Sequence, residues 1–486
     1  MAGLLAGGFG VAVAELLAAI TDTASPISAV GGAVIDRAPG WLERWAISTF
    51  GTSNKLALRV GIVSIMAVAA MALGLAARRR RRTAAAGFAA FAAVGWAAGA
   101  AVPSITGAIA GCAVLLRFLM PPMQVPGPSR APLGWDRRRF LVTGGGVAAA
   151  AAVAGVATGR IRAGREGTAR RQADTPLPEV PAATRASLPA GAEVGPEPFI
   201  TPNADFYRID TALSLPRTNL ANWRLQVGGM VDNPLSLSYD DLRSRPQVER
   251  IATICCVSNE VGGPYVGTAT WQGVMLRPLL EEAGVRTKAE QVFSTSLDGW
   301  TCGFPVTAAL DGRDAMVVVG MNGTPLPLEH GFPARLVVPG LYGYVSATKW
   351  LQSIELTTWD RQGYWLPRGW SRLAPIKTQS RIDAPRHRAR IPAGPTAVAG
   401  VVWAPRKGIS AVEVQVDDGP WQQATVGTSA GDDAWRQWVF EWDAAPGDHA
   451  ITVRATDGTG RTQTAERSPV APDGATGHHT IRVRVE

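Results

Sequence analysis

The chain has 486 residues, enough for two or three domains that each bury a core of their own. The formal net charge is +9, but residues 1–171 contain 18 Arg and one Lys against six acidic residues, so the excess positive charge lies there. Because no basic helix with interleaved aromatic residues follows this region, we expect no nucleic-acid partner.

The first 160 residues contain five apolar stretches. Three of them approach the ~20 residues that a membrane-spanning helix needs, and two short ones are separated only by Pro103. Buried globular helices are the alternative, but the arginine block Arg78–Arg82 favours membrane spans because it suits a cytoplasmic anchor. We predict an all-α transmembrane region over residues 1–159, in contact with membrane lipid. The stretches are Gly3–Ile20, Leu58–Ala77, Ala86–Val102, Ser104–Leu119 and Leu141–Thr158.

If the arginine block lies on the cytoplasmic side, everything after residue 160 lies on the extracytoplasmic side. The segment Asp136–Thr143 resembles a twin-arginine export signal, which serves proteins that fold before export. No cleavage site is evident near residue 160, so the helix is expected to remain as an anchor. A basic cytoplasmic flank without export function is the alternative. Five arginines of residues 160–171 oppose the positive-inside rule in this orientation.

Histidine is absent before His330. A membrane b-type haem needs axial imidazoles, and the chain has no Cys-x-x-Cys-His motif for a covalently attached haem. We therefore predict no haem, and we expect electrons to pass to or from a separate carrier, either quinone-linked or a cytochrome.

The rest of the chain divides into three segments. Residues 160–198 lack periodicity and predict an extended linker. Residues 199–375 alternate short β-rich runs with brief helical pieces such as Leu276–Ala283, which indicates an α+β domain. Residues 376–486 alternate apolar and polar positions between Asp-Gly turns, which indicates a β-sandwich of immunoglobulin-like size.

Cys256 is the most informative residue of the α+β domain. It lies in the run Thr253–Gly263, at the end of an apolar strand and among small polar residues and a glycine pair. A soft metal favours such a thiolate ligand. A buried structural thiol is the alternative reading, which we favour for Cys255 and Cys302. The cysteine spacing matches neither a disulfide framework nor a zinc site.

Several motifs in order resemble the sulfite oxidase family of molybdopterin enzymes. The Cys256 run, with the following Trp271–Leu276, resembles the family's molybdenum-ligating segment. Ile200–Asp210 resembles its entry strand, and Met321–Gly340, which runs on into Tyr342–Trp350, resembles its main signature. With the C-terminal module, the similarity covers roughly residues 190–486. It implies a sulfite-oxidase-like molybdopterin domain at 199–375, followed by an immunoglobulin-like sandwich that can mediate a homodimer.

The resemblance also implies a molybdenum–molybdopterin cofactor, with Cys256 as the metal ligand, and oxygen-atom transfer on a small substrate. Arg335, five residues after His330, matches the family's phosphate-contacting arginine. Arg208 is a candidate catalytic residue, with a salt bridge to a nearby aspartate as the alternative. The implied cofactor-binding residues are Asn203, Tyr207, Arg208, Cys256, Ser258, Asn259, His330, Arg335, Ser346, Thr348 and Lys349.

The sequence does not identify the substrate. Sulfite is an anion and would need several arginines, whereas only Arg208, Arg250, Arg368 and Arg372 are candidates, so a neutral sulfoxide is equally compatible. A non-catalytic surface scaffold with a degenerate domain is an alternative function. A cysteine-nucleophile hydrolase is a weaker one, because Cys256 would need a basic partner.

Overall fold

The structure is a computed structural model that describes residues 1–39, 53–120 and 137–486, together with residues 42, 45, 46, 49 and 50. The chain divides into two compact units. A helical unit comprises residues 1–168 and 211–215, and a sheet unit comprises residues 169–210 and 216–486.

Among the described residues of the N-terminal part, six helices have defined bounds. Four of them, α1, α3, α5 and most of α6, are long and apolar enough to cross a membrane, which agrees with four of the five predicted stretches. The twin-arginine-like segment begins at Asp136, which lies outside the described residues. The helices are α1 Ala2–Thr21, α2 Pro26–Arg37, α3 Asn54–Arg79, α4 Arg82–Ala97, α5 Ala101–Leu119 and α6 Arg137–Ala173.

The third predicted stretch requires a correction. It lies mainly in α4, which has 16 residues and is shorter than the four candidate spans. The chain breaks between α4 and α5 at Gly99, where φ is 95°, and not at Pro103. Pro103 lies in the first turn of α5, where the missing N–H costs no helical hydrogen bond.

Small residues hold the helical unit together. A Cβ atom on Gly10 of α1 would lie 2.6 Å from the carbonyl oxygen of Gly107 on α5, and one on Gly107 would lie 2.5 Å from that of Gly10. The two backbones are therefore in direct contact, as in membrane helix pairs that pack through glycine. Large apolar side chains such as Ile65 and Leu75 of α3 are exposed.

The predicted linker at residues 160–198 is wrong in two respects. Helix α6 continues to Ala173, because alanine and arginine favour helix and each glycine costs only about 1 kcal/mol. The remainder of the segment packs on the sheet unit: Val180 is buried, and Gln272 Nε2 donates to the carbonyl of Pro178 at 2.7 Å.

The first part of the sheet unit contains two sheets and short helices, in agreement with the predicted α+β pattern. One sheet has the order β2-β1-β10-β5-β6, with β1 and β10 parallel, and the other has the order β3-β4-β7-β8, with β9 also paired to β7. The elements are β1 Arg224–Gly229, β2 Leu235–Ser238, α7 Tyr239–Ser244, β3 Val248–Cys255, β4 Val266–Met275, α8 Leu276–Ala283, β5 Gln291–Ser296, β6 Thr301–Pro305, α9 Val306–Leu310, β7 Met316–Met321, β8 Thr324–Pro325, β9 Arg335–Val337, α10 Gly343–Ser346 and β10 Leu351–Thr357.

The C-terminal part forms two further sheets, with the orders β11-β13-β17-β16 and β12-β19-β18-β14-β15. One apolar core contains residues of both sheets, including Val398, Val412, Trp438 and Ile451, so the two sheets pack as a sandwich. The immunoglobulin-like assignment remains a prediction. The strands are β11 Gln379–Ala384, β12 Arg390–Ile391, β13 Gly394–Trp403, β14 Ile409–Val416, β15 Gln422–Gln423, β16 Thr425–Val426, β17 Arg436–Ala444, β18 Gly447–Asp457 and β19 His479–Val485.

The sandwich and the α+β part share a second core. Trp403 and Trp435 of the sandwich pack in one cluster with Cys255 and Tyr342 of the α+β part. Trp435 Nε1 also donates to the carbonyl of Phe199 at 2.9 Å. The end of β3, where Cys255 lies, is therefore supported by both parts of the sheet unit.

Candidate active site

Cys256 is the first residue after β3, at the start of the loop that connects β3 to β4. Its N–H donates to the carbonyl of Tyr265 at 2.9 Å, and its own carbonyl accepts from the N–H of Asn259 at 3.0 Å. Adjacent residues of an extended segment point to opposite sides. Cys255 is 2 % exposed and belongs to the apolar core, whereas Cys256 is only partly buried and is the accessible thiol of the pair.

The Cys256 loop is held from several directions. The buried Asn259 accepts a hydrogen bond from the N–H of Tyr265 at 2.7 Å and so closes the loop. Arg381 of the sandwich donates to the carbonyl of Gly263 at 3.0 Å. Gly262 has φ of 77° and lies against the His479 ring with no space for a Cβ atom. These contacts fix the backbone that carries the thiol.

The surroundings of Cys256 act on its ionisation in opposite directions. Burial raises the pKa of the Cys256 thiol, while hydrogen bonds from Ser258 and the charge of Lys349 lower it. Tyr207 lies within electrostatic reach of the thiol, and burial raises the pKa of this phenol well above its usual value. A metal ligand must be a thiolate, so Ser258 and Lys349 are the groups that favour the required form.

Arg335 at the start of β9 is a buried cation. Its side chain lies over the Trp271 ring at 5.1 Å and donates to the backbone carbonyls of His330, at 3.1 Å, and Leu336, at 3.4 Å. Within the described residues it forms no salt bridge, and burial lowers its pKa to about 10. A guanidinium only 4 % exposed with no carboxylate partner is arranged to receive an anionic group.

His330 contacts the segment Ile200–Asp210, which the resemblance predicted as an entry strand but which forms turns and irregular structure. Its Nε2 lies 2.9 Å from the carbonyl oxygen of Asn203, so this nitrogen carries the proton that it donates. Burial lowers the pKa of His330 to about 4, which keeps the ring neutral. The ring therefore supports residue 203, and it does not serve as a base for Cys256, which argues against the hydrolase alternative.

Asn203 is held by its neighbours. Its amide nitrogen donates to Thr324 Oγ1 at 3.2 Å, and its amide oxygen accepts from Asn322 Nδ2 at 2.8 Å. The side chain therefore ties the segment Ile200–Asp210 to the turn between β7 and β8.

Arg208 and Lys349 meet at a carboxylate that the sequence motifs did not assign. Arg208 Nε and Lys349 Nζ each lie 2.8 Å from Asp210 Oδ2. Burial lowers the pKa of Lys349 to about 8, and the Asp210 charge opposes this shift. We call these three residues the Asp210 triad. The salt bridge considered as the alternative for Arg208 is present.

Two predicted cofactor residues use their hydroxyl groups inside the protein. Thr348 Oγ1 lies 2.7 Å from Ser294 Oγ and 3.1 Å from Cys302 Sγ, and Ser346 Oγ donates to the Tyr342 carbonyl at 3.1 Å. Both are buried. Their hydroxyl groups therefore stabilise the turn before β10.

The remaining arginine candidates are engaged elsewhere. Arg250 pairs with Asp314 at 2.9 Å. The guanidinium groups of Arg368 and Arg372 lie over the rings of Tyr364 and Trp359. Electrostatic interactions connect Cys256 with Ser258, Lys349 and Tyr207. They also connect Arg335 with Tyr207, and Lys349 with Arg335 and Arg208. The sequence analysis missed one residue of the site, Asp210. Its position two residues after Arg208 was the only signal in the sequence, and a weak one.

Comparison with known proteins gives the class. The family described as the oxidoreductase molybdopterin binding domain matches residues 212–365. An uncharacterised oxidoreductase of Bacillus subtilis, YuiH, is 37 % identical over 152 residues, which are 31 % of this chain and 74 % of that protein. Sulfite oxidase of Gallus gallus is 29 % identical over 331 residues, covering 57 % of this chain and 71 % of that enzyme. For human mitochondrial sulfite oxidase the identity is 28 %, with 58 % and 61 % covered.

A solved structure supports the fold. The sulfane dehydrogenase SoxCD of Paracoccus pantotrophus aligns with a TM-score of 0.53 at 23 % identity, over 62 % of this chain and 89 % of that one. The chain belongs to the family of molybdopterin-dependent oxidoreductases that includes sulfite oxidase, and it is an enzyme of that class. The predicted family is confirmed, and the scaffold alternative is set aside.

The residues present fit the molybdopterin cofactor that the family implies. The cofactor combines a metal that takes a thiolate ligand with an anionic phosphate. Cys256 is a partly buried thiol beside a cation, and Arg335 is a buried guanidinium without a carboxylate partner in the described part of the chain. The site therefore contains both a thiol that can bind a soft metal and a buried hydrogen-bond donor for a phosphate group.

Proposed function

We propose that this protein is a membrane-anchored molybdopterin oxidoreductase that transfers an oxygen atom to or from a small substrate at the outer face of the membrane. One observation carries the catalytic assignment: the partly buried Cys256 directly follows strand β3 within electrostatic reach of Lys349, and Arg335 lies buried without a carboxylate partner in the described part of the chain. In the oxidative direction, substrate and water give the oxygenated product, two protons and two electrons. In the reductive direction the oxygenated compound, two protons and two electrons are consumed, and the reduced compound and water are released.

The residues of the site would divide the work as follows. When bound, the cofactor supplies two-electron redox chemistry at a metal held by Cys256. Arg335 would bind the anionic tail, because its planar guanidinium can donate two parallel hydrogen bonds to a phosphate. Tyr207 lies within electrostatic reach of the thiol, and Arg208, the more exposed cation, would contact the substrate.

The experiment that tests this proposal compares the two adjacent cysteines. We expect the purified wild-type protein to contain one molybdenum and one pterin, with no haem absorption. Cys256→Ser should fold normally but lose at least ~10³-fold in turnover, because a hydroxyl is a poor ligand for the metal. Cys255→Ser is the matched control and should alter stability only, since that thiol lies in the apolar core. Full turnover in Cys256→Ser, or metal-free wild-type protein, would refute the assignment.

Contacts within the helical unit support five membrane crossings. Arg81, between α3 and α4, donates to the carbonyl of Leu119 at the end of α5, with a distance of 3.1 Å. The end of α3 and the end of α5 therefore lie on the same side. Helix α4 connects this side to the start of α5, so it also crosses, although its 16 residues span only about 24 Å.

Five crossings place the two ends of the membrane region on opposite faces. The arginine block Arg78–Arg82 then lies inside and the chain after α6 outside. Two ion pairs support the parallel course of α1 and α6: Arg162–Glu15 at 2.6 Å and Arg165–Asp22 at 2.8 Å. They also give two of the five outer arginines acidic partners, which reduces their conflict with the positive-inside rule.

Export through the twin-arginine route is the second testable part of the proposal. Arg137→Lys combined with Arg138→Lys keeps the charge but removes the arginine pair that this route reads. We expect the sheet unit to remain inside the cell, protected from protease added to intact cells, whereas it is cleaved in the wild type. Arg130→Lys serves as the control. Normal external cleavage of the double variant would show that charge bias alone sets the orientation.

A further inference from the structure

One edge of the C-terminal sandwich carries a cluster of exposed arginines. The short strand β12 pairs in parallel with β19, so that Arg390 lies beside Arg484. Just before β12, the N–H of Arg388 donates to the carbonyl of Arg482 at 2.6 Å, which brings a second pair of arginines together. All four are exposed, as is the preceding Arg386. We call these five residues the arginine edge.

The two arginines of β19 point away from the sandwich core. Ile481 and Val483 are buried in the core between the two sheets. Because successive side chains of a strand face opposite sides, Arg482 and Arg484 lie on the outer face, roughly 6.6 Å apart along the strand. The arginines of the β12 segment add a second row of positive charge next to them.

Only part of this charge is compensated. Arg390 pairs with Glu486 at 2.8 Å, and Arg484 lies 3.6 Å from both Glu486 and Asp448. The side chains of the other three arginines of the edge form no hydrogen bond or salt bridge within the described residues. Five arginines against two carboxylates leave the edge with a net charge of +3.

The positive charge is local, because the sandwich as a whole has none in excess. Residues 376–486 contain 13 Lys and Arg and 13 Asp and Glu. Charge, proline and short length protect an edge strand from pairing with other chains, and β12 has all three: two residues, Arg390 and the following Pro392. β19 is an inner strand of its sheet, so edge protection does not explain its arginines.

The arginine edge is complementary to carboxylates at a regular spacing. Arg390 and Arg484 occupy opposite positions of paired strands, where two like charges destabilise a sheet unless an anion lies between them. Each guanidinium can donate two parallel hydrogen bonds to a carboxylate. Alternate side chains of an extended peptide are also roughly 6.6 Å apart, which matches the spacing of Arg482 and Arg484.

We propose that the arginine edge is a docking surface for an extended acidic segment of a partner protein, bound through carboxylate–guanidinium pairs. The inference is independent of the proposed redox function, because it uses no residue of the Cys256 site. Since the pairs form at the surface, salt screens them, and binding weakens as the ionic strength rises.

The test measures binding of a fluorescein-labelled peptide of alternating Glu and Thr to the full chain in non-ionic detergent, by fluorescence polarisation at low salt. A peptide of alternating Gln and Thr is the uncharged probe. The edge variant is Arg388→Gln with Arg482→Gln, which breaks no salt bridge of the described residues. The matched control is Arg277→Gln with Arg286→Gln, which removes two exposed arginines of the α+β part.

We expect the wild type to bind the Glu–Thr peptide but not the Gln–Thr peptide. Affinity for the Glu–Thr peptide should fall about tenfold in the edge variant, the loss expected for two exposed ion pairs. The control variant carries the same change in net charge and should bind as the wild type does. Thermal unfolding of the edge variant should match that of the wild type.

Three results would overturn the inference. The first is equal affinity of the edge variant and the wild type for the Glu–Thr peptide. The second is displacement of this peptide by an equal charge of phosphatidylglycerol in mixed micelles, which would assign the edge to lipid headgroups. The third is a wild-type dimer in light scattering that becomes a monomer in the edge variant, which would assign the edge to a second copy of the chain.

Discussion

The helical unit and the sheet unit place large and small side chains in opposite ways. In the helical unit, glycines such as Gly10 and Gly107 lie at the helix contacts, while Ile65 and Leu75 are exposed. In the sheet unit, several of the largest side chains, including Trp271 and Trp438, are completely buried.

The proposed membrane location of the helical unit would account for this difference. Water drives large apolar groups inside, and burial of one such side chain contributes roughly 1.5–3 kcal/mol. Lipid tails are as apolar as the side chains, so helices in a membrane gain little by hiding them and associate through close backbone contact. The two units should therefore respond to opposite kinds of substitution.

The largest effect is expected from a large-to-small change in the sheet unit. Trp438→Ala should lower the free energy of unfolding by about 3–5 kcal/mol, because it leaves a cavity between the two sheets of the sandwich. Trp438→Phe should cost clearly less, since the indole nitrogen has no hydrogen-bond partner in the described part of the chain. Denaturant unfolding followed by fluorescence measures both. An equal loss in the two variants would show that the N–H matters.

A small-to-large change is the corresponding test for the helical unit. Gly107→Leu should destabilise the contact between α1 and α5 by about 1–3 kcal/mol or more, because the new side chain meets the backbone of Gly10. Gly8→Leu is the matched control, since nothing lies within 4 Å of its Cβ position. Thermal unfolding in detergent compares them. A loss in Gly8→Leu as large as in Gly107→Leu would contradict packing through small residues.

The local part of this organisation could be predicted from the sequence. The position of Cys256 at a strand end and the helix start at Leu276 follow from short-range pattern, and the structure confirms both. Family resemblance located the signature that contains Arg335. None of these predictions requires knowledge of contacts between distant residues.

The remaining features depend on contacts between distant residues. Lys349 and Asp210 are 139 positions apart, and no local pattern pairs them. Thr348 turns inward because its hydroxyl group forms hydrogen bonds with Ser294 Oγ and Cys302 Sγ in a buried cluster, which only the tertiary packing brings together. Likewise, no local pattern pairs Arg162 and Arg165 of α6 with their acidic partners on α1.

A smaller difference between the two units is expected in acid. All five histidines lie in the sheet unit, so their titration changes the stability of that unit. Burial lowers the pKa of His330 and of His479 to about 4, from 6.5. Between pH 6.5 and 4 the unfolded chain therefore binds protons at these positions that the folded chain does not. The free energy of unfolding should fall as the pH is lowered through this window, by at most about 1.4 kcal/mol per pH unit for each histidine.

Two histidine variants sharpen this expectation. His479→Gln removes one of the protons taken up on unfolding, so the loss of stability between pH 6.5 and 4.5 should be shallower. His449 is the control: its hydrogen bond to Asp417 raises its pKa, so its stabilising contribution is present in full below its unfolded pKa of 6.5 and is lost as the pH rises above it. His449→Gln should therefore lower the stability without making the loss between pH 6.5 and 4.5 shallower. Denaturant unfolding in detergent at pH 7, 6 and 5 measures the slopes. A slope unchanged by His479→Gln would mean that other groups cause the acid sensitivity and that the buried imidazole does not remain neutral.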